Sequence, residues 1–429
     1  MKRLIKGTAG ALFAKSLGVG CNFLFHLFIA GLLGAQGAGY FFLAFMMIVM
    51  ASTLSRFGLG NTIVRFTAAG MADKNWGAIR GMYRKTMVLV LSIASLTTLI
   101  LSLTAPLWAH YVFRDDALAT PLRWMSLAIV PHAVFMIHTQ LLLGAKRIVL
   151  AQLIQGLSVP LIAILAAFAL APRFHVMGVA TAYIAASVVA ASLGIYVWRR
   201  LATPMKDAKP AFAYHDLLNS CRPLLAAELM QMLIVWLPTF ALGIFCPVEE
   251  VGLYQAAFRV ALLISLVMMA VESFVAPRFS EMHKRGDHVK LARLAQHATL
   301  LTISLAGVGL ILICIAPVSI MGLFGKEFIL AAPALIILAA GQFANAASGP
   351  SGHLLMMSGR EHLYRDIMVA AAVIQIFACF LLIPAYGLIG AASAAALTVA
   401  FKNLASVYCV RRMMNISMIP VFYAKARTA

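Results

Sequence analysis

Apolar residues run along this chain in blocks of about twenty, separated by short polar stretches rich in Lys and Arg. A helix crosses the hydrocarbon core of a bilayer in about 20 residues. Twelve such blocks lie near 11–33, 40–57, 86–108, 118–142, 148–170, 176–198, 223–245, 253–276, 298–322, 329–357, 364–385 and 388–410. The pattern predicts an all-α polytopic membrane protein with 12 transmembrane helices. Several blocks exceed the minimum length, which predicts tilt or kinks. Pro131, Pro160, Pro238 and Pro350 fall inside them. Neighbouring helices or water satisfy the carbonyls that such prolines free. The apolar run after MKRLIK is longer than a signal peptide's core of about 7–15 residues, so a retained first helix is expected.

Composition agrees with the pattern. Of 429 residues, 63% are hydrophobic and 11% charged. Ordinary soluble domains are about 25% charged, and disorder needs low hydrophobicity. The 34 Lys and Arg against 14 Asp and Glu give a net charge of +20. In a soluble protein that excess would suggest nucleic acid. Here its position matters more. With the N-terminus inside, 27 of the 34 basic residues fall on the cytoplasmic side and three (Arg114, Arg173, Lys326) on the other. That bias predicts cytoplasmic N- and C-termini and needs no nucleic acid. The six cysteines lie in or at the ends of spans, without a C-x-x-C pair, and read as small packing residues.

The chain repeats itself. GAGYFFLAFMMIVMAS (37–52) matches EVGLYQAAFRVALLIS (250–265) at an offset of 213, with Gly39 on Gly252, Phe45 on Phe258 and Ser52 on Ser265. HVMGVATAYIAASVV (from 175) matches GLIGAASAAALTVA (from 387) at 212, with Gly178 on Gly390. Each half holds an even number of spans, so the halves share one orientation. The expected plan is two pseudo-symmetric six-helix bundles related as a parallel repeat, at 1–198 and 223–412. A cytoplasmic linker (199–222) joins them and a cytoplasmic tail (413–429) follows. Parallel repeats of this kind usually place a transported substrate between the halves.

Chemistry is scarce. No G-x-x-x-x-G-K-[ST], H-E-x-x-H or G-x-S-x-G occurs, and the longest extramembrane segment is roughly 30 residues. A non-enzymatic protein without cofactor or metal is expected. Asp115 and Asp116 read as a solvated turn.

Ionisable groups at membrane depth cost a few kcal/mol each, so each is a functional candidate. The first span carries Lys15, Asn22 and His26 on one face. Arg123, Arg259 and Lys402 lie in later spans, and the tenth carries Gln342, Asn345 and His353. These nine are the expected substrate cavity. Its cationic balance suits an anionic, phosphate-bearing cargo. The repeat sets Lys15 on Glu228, opposite charges at equivalent depth, with Gln231 on the same face as Glu228 and Glu272 nearer the cytoplasmic end of its span. Lys15, Glu228, Gln231 and Glu272 are the expected gate or ion-coupling residues. A structural salt bridge between Lys15 and Glu228 is the competing reading.

K-x-L-G at Lys15–Gly18, LLGAQGAGYFFLAF (32–45) and SRFGLGNTIVRF (55–66) resemble the polysaccharide flippases of the multidrug/oligosaccharidyl-lipid/polysaccharide exporter superfamily. The likeness is greatest to the O-antigen or capsule repeat-unit flippases, often called Wzx. It implies movement of oligosaccharide on undecaprenyl pyrophosphate across a bacterial inner membrane, for lipopolysaccharide or other surface polysaccharide. It also implies alternating access, H+ or Na+ as coupling ion, and a polysaccharide polymerase as neighbour. The family's cavity is lined by basic residues, matched here by Lys15, Arg123, Arg259 and Lys402 in depth and type only. A cation-coupled multidrug exporter of the same superfamily is the alternative. Such exporters generally need acidic residues in a lobe, and the N-terminal bundle has no Asp or Glu within its predicted spans.

Overall fold

The computed structural model describes residues 2–205, 208–210, 214–285 and 287–418. Lys206 and Asp207 of the expected linker, and the tail beyond 418, lie outside them. Among the described residues the chain forms helices and turns, with no strand. Fourteen α-helices follow in order: α1 Lys2–Ser55, α2 Leu59–Ala72, α3 Trp76–Leu107, α4 Ala119–Met125, α5 Ile129–Gly144, α6 Ile148–Gln152, α7 Val159–Leu201, α8 Tyr214–Phe245, α9 Val248–Lys284, α10 His288–Ile315, α11 Pro317–Gly322, α12 Ala332–Ala347, α13 Ser351–Met357 and α14 Glu361–Met414.

Nine helical stretches among the described residues are long and apolar enough to cross a membrane. Three of them, Ala14–Ser55, Ile148–Leu201 and Glu361–Met414, are double-length and broken by one non-helical residue each, Gly34, His175 and Gly387. The breaks are reversals. Phe25 and Phe41 sit 16 positions apart, about 24 Å along a straight helix, yet their ring centroids are 6.1 Å apart. A β-carbon on Gly178 would fall 2.6 Å from the carbonyl oxygen of Leu170, eight residues earlier. Gly390 stands in the same relation to Leu382. Counting each double stretch as two crossings gives the expected 12-helix plan.

The reversals carry the repeat into three dimensions. His175 (φ 46°, ψ −127°) and Gly387 (φ 51°, ψ −127°) share one backbone conformation at the 212 offset. Pro172 and Pro384 each precede the reversal by three residues. Proline removes a helical hydrogen bond, and a positive φ turns the chain back. A β-carbon at Gly387 would meet Glu250 Oε2 at 2.6 Å, and that same oxygen accepts the Leu388 N–H at 2.6 Å. His175 adopts the same conformation with a side chain, at a cost of about 1–3 kcal/mol.

Three of the four prolines lie within membrane-spanning helices and one does not. Pro131 and Pro160 lie inside the continuous spans Asp116–Gly144 and Ile148–Leu201, as expected, each just after a local change of helix type. Pro350 lies outside any span: the tenth crossing ends at Ala347, and Gly349 (φ 58°) and Pro350 separate it from α13. Pro238 sits in the middle of α8.

The chain divides into two units, Met1–Leu229 and Met230–Ala429. The division falls within α8. In the N-terminal unit, α5 is the most enclosed crossing, and α3 and α7 leave rows of large apolar side chains exposed. Leu96, Leu99, Ile100 and Leu103 on α3 are each more than half exposed. An apolar surface of that extent suits lipid and not water. In the C-terminal unit, Ile311, Leu312 and Ile315 of α10 and Phe377 and Leu381 of α14 play the same part. Small residues let helices approach closely inside each unit. Gly18 and Gly156 lie so near that a β-carbon on Gly18 would fall 2.8 Å from the Gly156 Cα. Gly341 meets Ala396 in the same way at 2.7 Å.

Candidate substrate and coupling sites

The aligned serines Ser52 and Ser265 tie equivalent helix pairs. Ser52 Oγ on α1 lies 2.8 Å from His132 Nδ1 on α5. Ser265 on α9 donates its hydroxyl to Gln342 Oε1 on α12. Both are buried polar links between apolar helices, which tie the helices together in lipid. Gln342 is thereby a packing tie with little free surface.

The Ser52 link opens onto charge. Arg56, assigned to a cytoplasmic loop by the sequence reading, is buried, with its guanidinium donating to Ser52 O at 3.4 Å and Thr53 Oγ1 at 2.9 Å. His132 and Glu228 are both within its electrostatic reach. Glu228 reaches this cluster because the first part of α8 packs on the α1–α2 turn. Gly58 (φ 71°) makes the turn, and a β-carbon there would lie 2.7 Å from Leu225 N. Likewise a β-carbon on Gly60 would lie 3.3 Å from Glu228 Oε1. Glu228 Oε2 is buried without a hydrogen-bond partner. Among the described residues no ion pair joins Glu228 to Lys15; the cation acting on Glu228 is Arg56. Lys15 is half-buried on α1 and Gln231 is exposed.

The other first-helix candidates divide. His26 is enclosed by rings, stacked on Phe42 at 5.4 Å and edge-on to Phe25 and Phe45, with Nδ1 2.6 Å from Asn22 O. It packs the α1 reversal and exposes almost no surface, which removes it from a cavity lining. Asn22 remains half-buried. Arg123 is exposed in the last turn of α4, beside the break at Ser126–Ala128. Asp115 is more than a solvated turn residue: it accepts the Tyr40 hydroxyl at 2.8 Å and caps its own turn through Ala117 N.

In the C-terminal unit the expected residues form two groups. Glu272 Oε1 pairs with His353 Nδ1 at 3.0 Å, and Lys402 lies within electrostatic reach of the same carboxylate. Three candidates on α9, α13 and α14 are thus one charge cluster. Arg259 belongs to the other. Its guanidinium carbon stands 6.0 Å from the centre of the Trp236 ring, and its Nε has no hydrogen-bond partner. Tyr254 Oη, Gln255 Oε1 and Gln375 Oε1 are also buried and unpaired. Gln255 Nε2 donates to Thr239 Oγ1 at 2.6 Å, and Gln375 Nε2 to Cys379 Sγ at 3.0 Å. The Arg259 Nε–H and the Tyr254 hydroxyl retain donor capacity for a bound anion, whereas the two amide oxygens can only accept. Asn345 is half-buried on α12. The sequence reading missed Arg56, His132, Tyr254 and Gln375. His132 carried a signal, as an imidazole within an apolar block; Arg56 resembled any loop arginine.

Groups of three or more His, Cys, Asp or Glu able to hold a metal are absent among the described residues.

The fold is that of the MOP-superfamily transporters. The lipid II flippase MurJ in an inward closed conformation superposes with a TM-score of 0.75, at 14% identity over 95% of this chain and 87% of its own. An inward-facing multidrug resistance transporter of the MATE family gives 0.71, at 14% identity over 92% and 94%. The family model for polysaccharide biosynthesis proteins matches residues 4–283, and the chain belongs to that family. The relative named "Probable low-salt glycan biosynthesis flippase Agl15", from Haloferax volcanii, is 23% identical over 421 residues, 96% of this chain and 84% of its own.

Proposed function

We propose that this protein flips undecaprenyl-pyrophosphate-linked oligosaccharide across the bacterial inner membrane for surface polysaccharide assembly, by alternating access of its two six-helix units. The observation that carries the reading is Arg259, a membrane-embedded guanidinium whose Nε–H is unpaired. A pyrophosphate has the charge and fork geometry to occupy it. Family membership supports a glycan cargo. Loss of the protein is expected to leave lipid-linked glycan repeats on the cytoplasmic leaflet, measured by accessibility of the glycan to an impermeant lectin. Normal surface polysaccharide in a strain without a redundant flippase would refute it. Resistance to cationic dyes on overexpression, with no glycan defect, would mark drug antiport instead.

The Glu272–His353–Lys402 cluster is the proposed coupling site. The reading rests on geometry: a carboxylate and an imidazole 3.0 Å apart, with the Lys402 ammonium within electrostatic reach of the carboxylate. In proteoliposomes, flipping by the native protein is expected to follow an imposed pH gradient. Glu272→Gln is expected to remove that dependence while leaving cargo binding in place. Gradient-dependent flipping in Glu272→Gln would place coupling elsewhere.

A further inference from the structure

The N-terminal unit holds a cavity of about 540 Å³ where α7 ends. Small-ligand sites span about 300–1,000 Å³. Arg80 from α3 and Arg199 and Arg200 from α7 line it, together with Tyr83, Tyr196 and Trp198. Among the described residues that line it, none is acidic. We propose that this cavity binds the phosphate-bearing headgroup of an anionic membrane lipid.

Its floor is rigid. Trp198 is buried against Tyr83, with ring centroids 5.8 Å apart, and Tyr83 Oη lies 3.3 Å from His138 Nε2. One wall is fixed by Arg80, whose Nη1 donates to the backbone carbonyl of Ala208 at 2.8 Å. The basic groups sit above. Arg199 lies within electrostatic reach of both Tyr83 and His138. Arg200 stands over the Tyr196 ring at 5.2 Å. Among the described residues no hydrogen bond or ion pair engages the guanidinium of Arg199.

Two basic residues in the last turn of α7 also complement the helix dipole and favour one membrane orientation. Those roles need positive charge alone, so lysine would serve them equally. They need neither a concave site nor an aromatic floor. A phosphate held by paired guanidinium forks needs both.

The lipid source follows from the rim. Val189, Leu193 and Tyr196, spaced four and three residues apart, form one exposed stripe of α7 leading to the cavity. An acyl chain laid along that stripe brings its own headgroup to the arginines. A soluble phosphate would gain nothing from it. Basic pockets at the ends of spans on the cytoplasmic side are a recurrent form of lipid recognition.

The test uses the delipidated full-length protein in detergent. Mixed micelles of phosphatidylglycerol or phosphatidylcholine, and sodium pyrophosphate alone, are titrated while the melting temperature is followed. Phosphatidylglycerol is expected to raise it and phosphatidylcholine to leave it unchanged. Arg199→Lys with Arg200→Lys is expected to weaken phosphatidylglycerol binding about tenfold while preserving charge. Tyr196→Ala, a change at an exposed position, is expected to weaken it too and serves if the double variant fails to fold. Equal responses to the two lipids would overturn the proposal, as would unchanged affinity in the folded variants. A response to pyrophosphate matching that to phosphatidylglycerol would move the site to soluble phosphates and overturn the lipid assignment.

Discussion

Arg56→Met and Glu228→Met are each expected to destabilise the protein by about 3 kcal/mol, and the double variant by less than the sum. Each single change leaves a charge in a low-dielectric setting without its counter-charge, and breaking such a pair costs about 3–5 kcal/mol. The full value is not expected, because Glu228 Oε2 already lacks a hydrogen bond and Glu228 is only half-buried. Removing both charges removes the penalty along with the attraction, so the pair should show positive coupling in a double-mutant cycle. Chemical unfolding in detergent reads the effect. Additive losses would mean that the two residues do not sense one another. Exchanging the charges of Lys15 and Glu228, by contrast, is expected to restore nothing, since Arg56 is the cation near the carboxylate.

Arg259→Ala is expected to reduce flipping of pyrophosphate-linked cargo by about 10–100-fold, the equivalent of a lost hydrogen bond to a charged group. Arg259→Lys is expected to fall between the two. It keeps the charge beside Trp236 and loses the planar fork. Flipping in proteoliposomes and thermal stability should be measured together. A helix tie would lower stability and flipping in step, whereas a substrate ligand would lower flipping in a variant that melts normally. Arg123, exposed at the end of α4, is expected to show the smaller effect of a charge in a wetter place.

The three double-length helices show where local sequence suffices. At 54 residues, α14 would be about 80 Å long if straight. The apolar blocks 364–385 and 388–410 already imply a reversal near Gly387, and Pro384 marks its approach. The blocks 148–170 and 176–198, with Pro172 between them, likewise imply the matching reversal, but histidine gives less sign than glycine of the positive φ at position 175. Charge assignment failed at Arg56 for a different reason. It stands one turn beyond Ser52 and Thr53, in a short gap between apolar blocks, and the sequence does not say whether the gap faces water. The first part of α8 covers it, from more than 160 residues away.

By itself the sequence determined that the chain spans a membrane, how many times, and that its second half repeats its first. Those properties depend on runs of neighbouring residues and on bilayer thickness, both of which are local or external to the fold. Tertiary structure alone decided which buried charge meets which. The rotational setting of each helix placed Glu228 near Arg56, gathered Glu272, His353 and Lys402 into one cluster, and enclosed His26 among rings. The net charge of +20 places basic residues along the chain. Helix packing determines which of them are left available to an anion.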